Sequence, residues 1–287
     1  MVTYSRDLLE RLREKAVKLR QNVISCVGVG TAGHIGGSFS AAEIMTSLYF
    51  YKMKYHSAEP EWEGRDYFIL SKGHAAILQY SALAEAGFFP VKDLVHCKEL
   101  GFYLQGHPHL STPGIEVGTG SLGQGLSLGL GIALGLKMDK KHNRVYVLLG
   151  DGELNEGQVW EAVMAASAKN MANLCAIVDN NGLQAQGRLA DRLAIEPIAS
   201  RWYAFGWNVI EIDGHQIEEI LVALDAAEKC SSKPTVIVAH TVKGKGLSFA
   251  ENQTAFHNRA LTQEEYDQAV KELESVACKE RRGDQRG

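Results

Sequence analysis

The chain has 287 residues, 45% hydrophobic and 22% charged, an ordinary composition for a globular enzyme of one large α/β domain or two small ones. Its net charge of −4 gives no electrostatic case for nucleic acid or an anionic membrane, and the opening Met1-Val2-Thr3-Tyr4-Ser5-Arg6-Asp7 lacks the apolar core of a signal peptide. The five cysteines are scattered without a Cys-x-x-Cys pair, and the longest apolar run, residues 126–136, is too short and glycine-rich to span a bilayer, so the expected setting is a reducing cytoplasm.

Residues 5–27 place Leu8, Leu9, Leu12, Ala16, Leu19, Val23 and Ile24 at helical spacing among charged residues, an amphipathic helix. The Gly28-Val29-Gly30-Thr31-Ala32-Gly33 that follows has the outline of a dinucleotide fingerprint. It follows a helix instead of a strand, and no acid lies about 20 residues on, so it is set aside. Gly33-His34-Ile35-Gly36-Gly37-Ser38 predicts a flexible loop carrying His34, ahead of a helix over 41–51. Residues 67–71 read as a short strand, and Lys72-Gly73-His74-Ala75 turns into a helix through Glu85, whose N-terminus could face an anion. Residues 91–100 look helical, and His107 sits in a Gly106-His107-Pro108 loop.

A second G-x-G-x-x-G, residues 118–123, does open a helix, though the segment before it is a poor strand. Glycines 125, 129, 131 and 135 weaken that helix, at up to ~1 kcal/mol each, which close approach of another backbone would offset. A tight subunit interface and burial in the chain's own core explain them equally well. Strands at 144–149, 173–179, 208–212 and 234–240 then alternate with helices at 156–170, 197–205 and 217–229. Such a series predicts an α/β fold, a mostly parallel sheet with helices on both faces. Lys243-Gly244-Lys245-Gly246 opens a polar loop through His257, a helix over 262–280 follows, and residues 281–287 are expected to form a disordered tail. Arg282-Gly283-Asp284 outlines an adhesion tripeptide, but nothing else about the chain is extracellular. Residues 1–280 are expected to form a single domain.

The chemistry concentrates in residues 148–187. One strand delivers Asp151 into the turn Gly150-Asp151-Gly152, and thirty residues later a second delivers Asn181 into another turn. Parallel strands joined by a crossover helix put both turns at one sheet edge, where α/β proteins bind ligands. A carboxylate and an amide oxygen suit a hard cation such as Mg2+, which completes its shell with phosphates and water. The pattern is that of a metal–diphosphate site, although Asp151 alone would also serve as a plain turn residue. Four histidines, His34, His74, His107 and His257, lie in glycine-containing or polar loops, unlike His56, His96, His142, His215 and His240. Singly each reads as structural; together they suit a site handling protons and hydroxyls near neutral pH. They lack zinc-motif spacing and companion cysteines, and no G-x-S-x-G elbow supports a serine hydrolase.

Gly150-Asp151-Gly152 followed by Asn180-Asn181 resembles the signature of thiamine-diphosphate enzymes, and the flanking motifs narrow the resemblance to transketolase. Ala32-Gly33-His34, Ser71-Lys72-Gly73-His74-Ala75, Gly106-His107-Pro108, Gly118-Thr119-Gly120-Ser121-Leu122-Gly123-Gln124-Gly125 and the late His257 fall in that family's order, over roughly residues 10–260. The resemblance implies a thiamine-diphosphate-binding fold. It implies that Asp151, Asn181 and the backbone carbonyl of Leu183 hold Mg2+, with Ca2+ or Mn2+ as alternatives, bridging to the cofactor's diphosphate. Gly152 would offer its N–H to a phosphate, His74 and His257 would contact the diphosphate, and Gly120 and Leu122 would line the aminopyrimidine and thiazolium part. His34, His107 and His257 would contact substrate hydroxyls and assist proton transfer. Glu156 and Glu161 match acidic residues near the interface between paired active sites, against the plain reading of solvated helix charges. The implied reaction moves a two-carbon ketol unit from a ketose phosphate to an aldose phosphate, as in the pentose phosphate pathway, with the thiamine ring as electron store.

The chain stops where a full transketolase is not half complete. The expectation is therefore the N-terminal subunit of a split transketolase. Its partner is a C-terminal subunit carrying the pyrimidine-binding domain and the activating glutamate, and two copies of each chain form a heterotetramer. The alternatives are the α subunit of a thiamine-dependent 2-oxoacid dehydrogenase, a split ketolase acting on a modified sugar, and a non-catalytic regulatory homologue. The set of histidines argues against the first, and retention of the Asp151–Asn181 pair argues against the last.

Overall fold

A computed structural model of the chain describes residues 3–283. Helix α1 (Arg6–Val27) starts at Ser5, whose hydroxyl accepts from the Leu8 N–H, and stops at Gly28 with φ +60°. The first glycine cluster is thus a helix terminus. Helices α2 (Ile35–Phe39) and α3 (Ala42–Ser47) follow closely, and α3 continues into a π turn, Leu48–Lys52. The loop expected at 33–38 is shorter than predicted, because Gly36 and Gly37 lie inside α2. They serve close approach instead of flexibility: a Cβ on Gly36 would lie 3.0 Å from the Phe256 carbonyl, and one on Gly37 3.2 Å from His74 Nε2.

Strand β1 (Tyr67–Leu70) leads through a 3-10 turn, Gly73–Ala75, into α4 (Ala76–Glu85). Residues 91–100 make only the 3-10 segment Val91–His96, not the longer helix their composition suggests. Next come α5 (Gln124–Met138), β2 (Val145–Gly150), α6 (Gly157–Ala168) and β3 (Leu174–Asn180). A small hairpin, β4 (Leu183–Gln184) with β5 (Gly187–Arg188), and the short α7 (Leu189–Arg192) were not foreshadowed by pattern, since two-residue strands carry no periodicity. The chain finishes with α8 (Ile198–Ala204), β6 (Asn208–Asp213), α9 (Ile217–Lys229), β7 (Thr235–His240) and α10 (Gln263–Gly283). Helix α10 therefore enters the segment expected to be a tail. Residues 284–287, with Asp284 of the Arg-Gly-Asp tripeptide, lie outside the described residues.

The main sheet has the order β1-β2-β3-β7-β6, with every pairing parallel. Side chains alternate between two cores, as the pleat requires. Tyr146, Leu148, Cys175 and Ile177 face the core shared with α1, α3, α4 and α9, while Val147, Leu149, Ala176 and Val178 face that of α5, α6 and α8. Asp179, two residues beyond Ile177, continues the first face. Gly125 and Gly129 let α5 settle on the sheet: a Cβ there would come within 2.4 Å of Ser71 and 2.5 Å of Val147. Gly131 and Gly135 have nothing of this chain within 4 Å of such a Cβ. All five cysteines are free thiols, and no helix among the described residues is long and apolar enough to cross a membrane.

Candidate active site

Strands β2 and β3 end side by side, Gly150 against Asp179, so the two predicted turns meet at the carboxyl edge of the sheet. Asp151 is buried there and ties the turns together, accepting from the N–H of Gly152 at 2.7 Å and of Gly182 at 2.5 Å. Burial, reinforced by the charge of Asp179, pushes its pKa up to about 6, against the pull of those two donors and of Lys243. The amide nitrogen of Asn181 donates to Asp179 at 3.2 Å, and its oxygen accepts from the Leu183 N–H at 3.1 Å. An ionised carboxylate only accepts, so Asp179 fixes which end of the Asn181 amide faces the turn.

Two buried acids that the sequence pattern did not single out build this framework. Asp179 accepts from Lys72 Nζ at 2.5 Å and Ser40 Oγ at 2.6 Å, and from the Thr241 hydroxyl. Burial works against its ionisation, but Lys72 prevails and holds the carboxyl below its usual range. Glu153 accepts from the Ser71 hydroxyl, from the Gly123 N–H at 2.8 Å and from the Gly150 N–H at 3.2 Å. It thereby joins three separate loops, and burial pushes its pKa up despite those donors.

Beside these turns lies a cavity of about 310 Å3, whose walls include Gly37, Lys72, His74, Leu122, Asp151, Gly152, Glu156, Asn181, Leu183, Lys243 and His257. Buried Lys243 likewise has no local sequence signal. Its Nζ donates to the carbonyls of Leu183 at 2.9 Å and Gln184 at 3.1 Å and lies 3.1 Å from His257 Nδ1. Burial lowers its pKa to about 8, with Asp151 opposing. On the same wall, Asn155 Oδ1 is buried without a partner, an acceptor available to a donor entering the cavity.

The predicted histidines converge. His34 lies 5.2 Å from His74, 5.3 Å from His257 and 6.3 Å from His107 between ring centroids, and His74 lies 5.2 Å from His257. His74 and His257 line the cavity, with His34 and His107 continuing outward from them. Gly120 packs against the His107 ring, where a Cβ would sit 3.3 Å away. Burial, with help from neighbouring cations and rings, lowers His34 and His257 to about 4, lowers His107, and lowers His74 far below its usual range. The rings are neutral near pH 7, each keeping one N–H donor and one ring nitrogen that accepts. Lys98 adds a cation at this rim, its backbone at φ +69° and its ammonium on the Ala32 carbonyl. Glu156 and Glu161 are both exposed, the latter on α6.

The chain matches the family described as "Transketolase, thiamine diphosphate binding domain" over residues 13–276. It is 42% identical over 264 residues to the 6-deoxy-6-sulfo-D-fructose transketolase subunit SqwG of Clostridium sp. (strain MSTE9), covering 92% of this chain and 96% of that one. It is 40% identical over 265 residues to one of the subunits of the apulose-4-phosphate transketolase of Phocaeicola vulgatus, covering 92% and 94%. Among solved structures, the transketolase of Campylobacter jejuni superimposes with a TM-score of 0.86 at 30% identity, over 94% of this chain and 45% of that one. The chain thus spans under half of that enzyme but nearly the whole of the two subunits. These likenesses favour transketolase over the 2-oxoacid dehydrogenase alternative. The chain belongs to the transketolase family, and residues 13–276 form its thiamine diphosphate binding domain.

Proposed function

We propose that this chain is the diphosphate-binding subunit of a split transketolase that works with thiamine diphosphate and Mg2+. It moves a two-carbon ketol unit from a ketose phosphate to an aldose phosphate, together with a second chain carrying the pyrimidine-binding domain. The observation that carries the reading is its near-complete coverage of two relatives named as transketolase subunits. The cavity fits the cofactor. Asp151, Asn181 and the Leu183 carbonyl offer oxygen ligands suited to Mg2+, and buried Lys72 and Lys243 stand beside them to balance a diphosphate. All three oxygens already accept within the chain: Asp151 from the Gly152 and Gly182 N–H groups, the Asn181 amide from the Leu183 N–H, and the Leu183 carbonyl from Lys243. A carbonyl oxygen keeps a second lone pair for a cation.

Bound there, thiamine diphosphate supplies the electron sink for breaking and making a carbon–carbon bond. The chain's own residues orient and move protons. His74 and His257 would hold the diphosphate end, and Leu122, with Gly120 beside the His107 ring, would hold the ring end. His34, His107 and His257 are neutral enough to accept a hydroxyl proton and return it. Lys98 beside His34 and His107 suits the anionic end of the sugar. The subunit names of the two relatives support an assembly with a second chain, which we place in the cytoplasm as two copies of each, with the exposed Glu156 and Glu161 near the paired sites.

Mixing decides the matter. The purified chain, a candidate partner, Mg2+ and thiamine diphosphate are assayed for transfer from xylulose 5-phosphate to ribose 5-phosphate. The expected result is no turnover by this chain alone and turnover on mixing; robust turnover without a partner would remove the split-subunit reading. A second reading, a donor bearing a modified sugar, is favoured by the names of the two relatives, which specify a sulfofructose and apulose 4-phosphate. A panel of donors in the same assay separates the two.

A further inference from the structure

Sequence spacing leaves His215 outside the group of loop histidines, yet it sits in a buried network that reaches the cavity. It follows the turn Asp213-Gly214 at the end of β6, packed so closely on the next segment that a Cβ on Gly214 would come within 2.5 Å of Thr241. Nε2 of His215 lies 2.8 Å from the backbone nitrogen of Val242, and Nδ1 lies 3.1 Å from Glu43 Oε2 on α3. Glu43 is gripped in turn by Arg20 of α1, through Nη1 at 2.5 Å and Nη2 at 2.8 Å. Burial works against ionisation of Glu43, but the guanidinium and His215 hold its pKa down to about 2.

An ionised carboxylate can only accept, so Nδ1 carries the proton and Nε2 keeps the lone pair that the Val242 N–H requires. One tautomer satisfies both contacts. The main-chain donor it serves belongs to the segment that follows β7 across the cavity. There the Thr241 hydroxyl bonds to Asp179, Lys243 bonds to the Leu183 and Gln184 carbonyls and lies by His257, and the Gly244 N–H bonds to Gly36 at 3.0 Å.

We propose that His215 is a positioning residue for the cofactor site: backed by Glu43 and Arg20, it fixes the backbone at Val242 and so sets Lys243 between the Leu183 carbonyl and His257. The inference rests on reading the cavity as a diphosphate site. Its role is to hold a cation in register without touching the cofactor, and the acceptor at Nε2 is what does so.

Two amide substitutions separate the ring's two contacts. In His215→Gln the amide oxygen reaches the place of Nε2 and still accepts from Val242. In His215→Asn the shorter amide keeps a donor for Glu43 and leaves Val242 without an acceptor. Two quantities are read: amide hydrogen exchange of residues 242–246 in the full chain, and the affinity of the assembled enzyme for thiamine diphosphate in the presence of Mg2+. In His215→Asn exchange should quicken and cofactor affinity fall about tenfold, with kcat at saturating cofactor held within about twofold, and His215→Gln should restore both. Wild-type protection and affinity in His215→Asn overturn the proposal, and so does an equal loss in both variants, which marks a packing role. Should the wild-type assembly bind no thiamine diphosphate, the proposed function fails instead, and the exchange comparison still judges whether His215 holds the segment.

Discussion

The ammonium of Lys72 lies 2.5 Å from the carboxylate of Asp179, the two residues being 1% and 0% exposed. Neither is a candidate metal ligand, yet the pair joins the β1 turn to the end of β3 and orients the Asn181 amide. Removing one member of such a buried pair typically costs about 3–5 kcal/mol, because the other charge is left unpaired. Asp179→Asn is therefore expected to lower the unfolding free energy by about that much, measured by denaturant melts. Adding Lys72→Met should recover part of the loss. Strictly additive costs in this double-mutant cycle would show that the two charges do not act as a pair.

The sheet edge was legible because apolar runs ending in glycine turns are a strong pattern, and Asp151, Asn181 and His74 sit at such ends, whereas His34, His107 and His257 showed only through their glycine-containing or polar loops. What stayed hidden is the polar framework behind them. Asp179 directly follows the apolar run Cys175-Ala176-Ile177-Val178, in a strand covered on both faces, and a charge at that boundary reads as the strand simply leaving the core. Its partners Ser40, Lys72 and Thr241 are distant in sequence, so no local spacing announces the cluster. His215 was obscured for the same reason: its meaning lies in contacts with α3 and the segment after β7. The available signal was the burial of a charge in an apolar strand, which demands a partner from elsewhere.

Asp151 carries a sharper prediction. Asp151→Ala removes a proposed Mg2+ ligand together with the acceptor that holds the Gly152 and Gly182 N–H groups. Affinity for thiamine diphosphate at fixed Mg2+ should fall by more than about 100-fold, beyond the range usual for an outer-shell change. Circular dichroism should remain that of the wild type. Titration of the cofactor against intrinsic fluorescence checks this, and unchanged affinity would take Asp151 out of the metal shell.

The histidine cluster predicts how stability responds to acid. Without cofactor, the rings of His34 and His257 titrate near 4 in the folded chain instead of the usual 6.5, and His74 and His107 are lowered as well. Between those limits the unfolded chain binds more protons, so stability is lost as pH falls from about 6.5 toward 4. Asp151 acts in the opposite sense: raised to about 6, it favours the folded state as pH drops below that value. Burial raises Glu153 and Asp66 as well, and they act with it, so three carboxyls stand against four rings, two of which titrate as low as about 4. The melting temperature of the cofactor-free chain should therefore fall across this window, and a flat profile would show that the rings are not held neutral.

The two sides of α5 give contrary predictions for the same substitution. Gly125→Ala would put a methyl 2.4–2.6 Å from Ser71, whose hydroxyl bonds to Glu153. Overpacking of this kind costs about 1–3 kcal/mol, and here it would also disturb the Gly123 and Gly150 loops that Glu153 joins. At Gly131 the new methyl meets nothing in this chain, so Gly131→Ala should stabilise the isolated protein by up to ~1 kcal/mol through helix propensity alone. The glycine is then best explained by what lies outside. Around it α5 exposes Leu128 and Met138, and neighbouring α6 exposes Met164, a face suited to close contact with another subunit. Gly131→Leu should accordingly leave the isolated chain folded while weakening its assembly, seen as a raised dissociation constant in analytical ultracentrifugation. If Gly131→Leu assembles as tightly as wild type, this face of α5 is free in the complex, and the subunit contact must be sought nearer the cavity, beside Glu156 and the histidine rim.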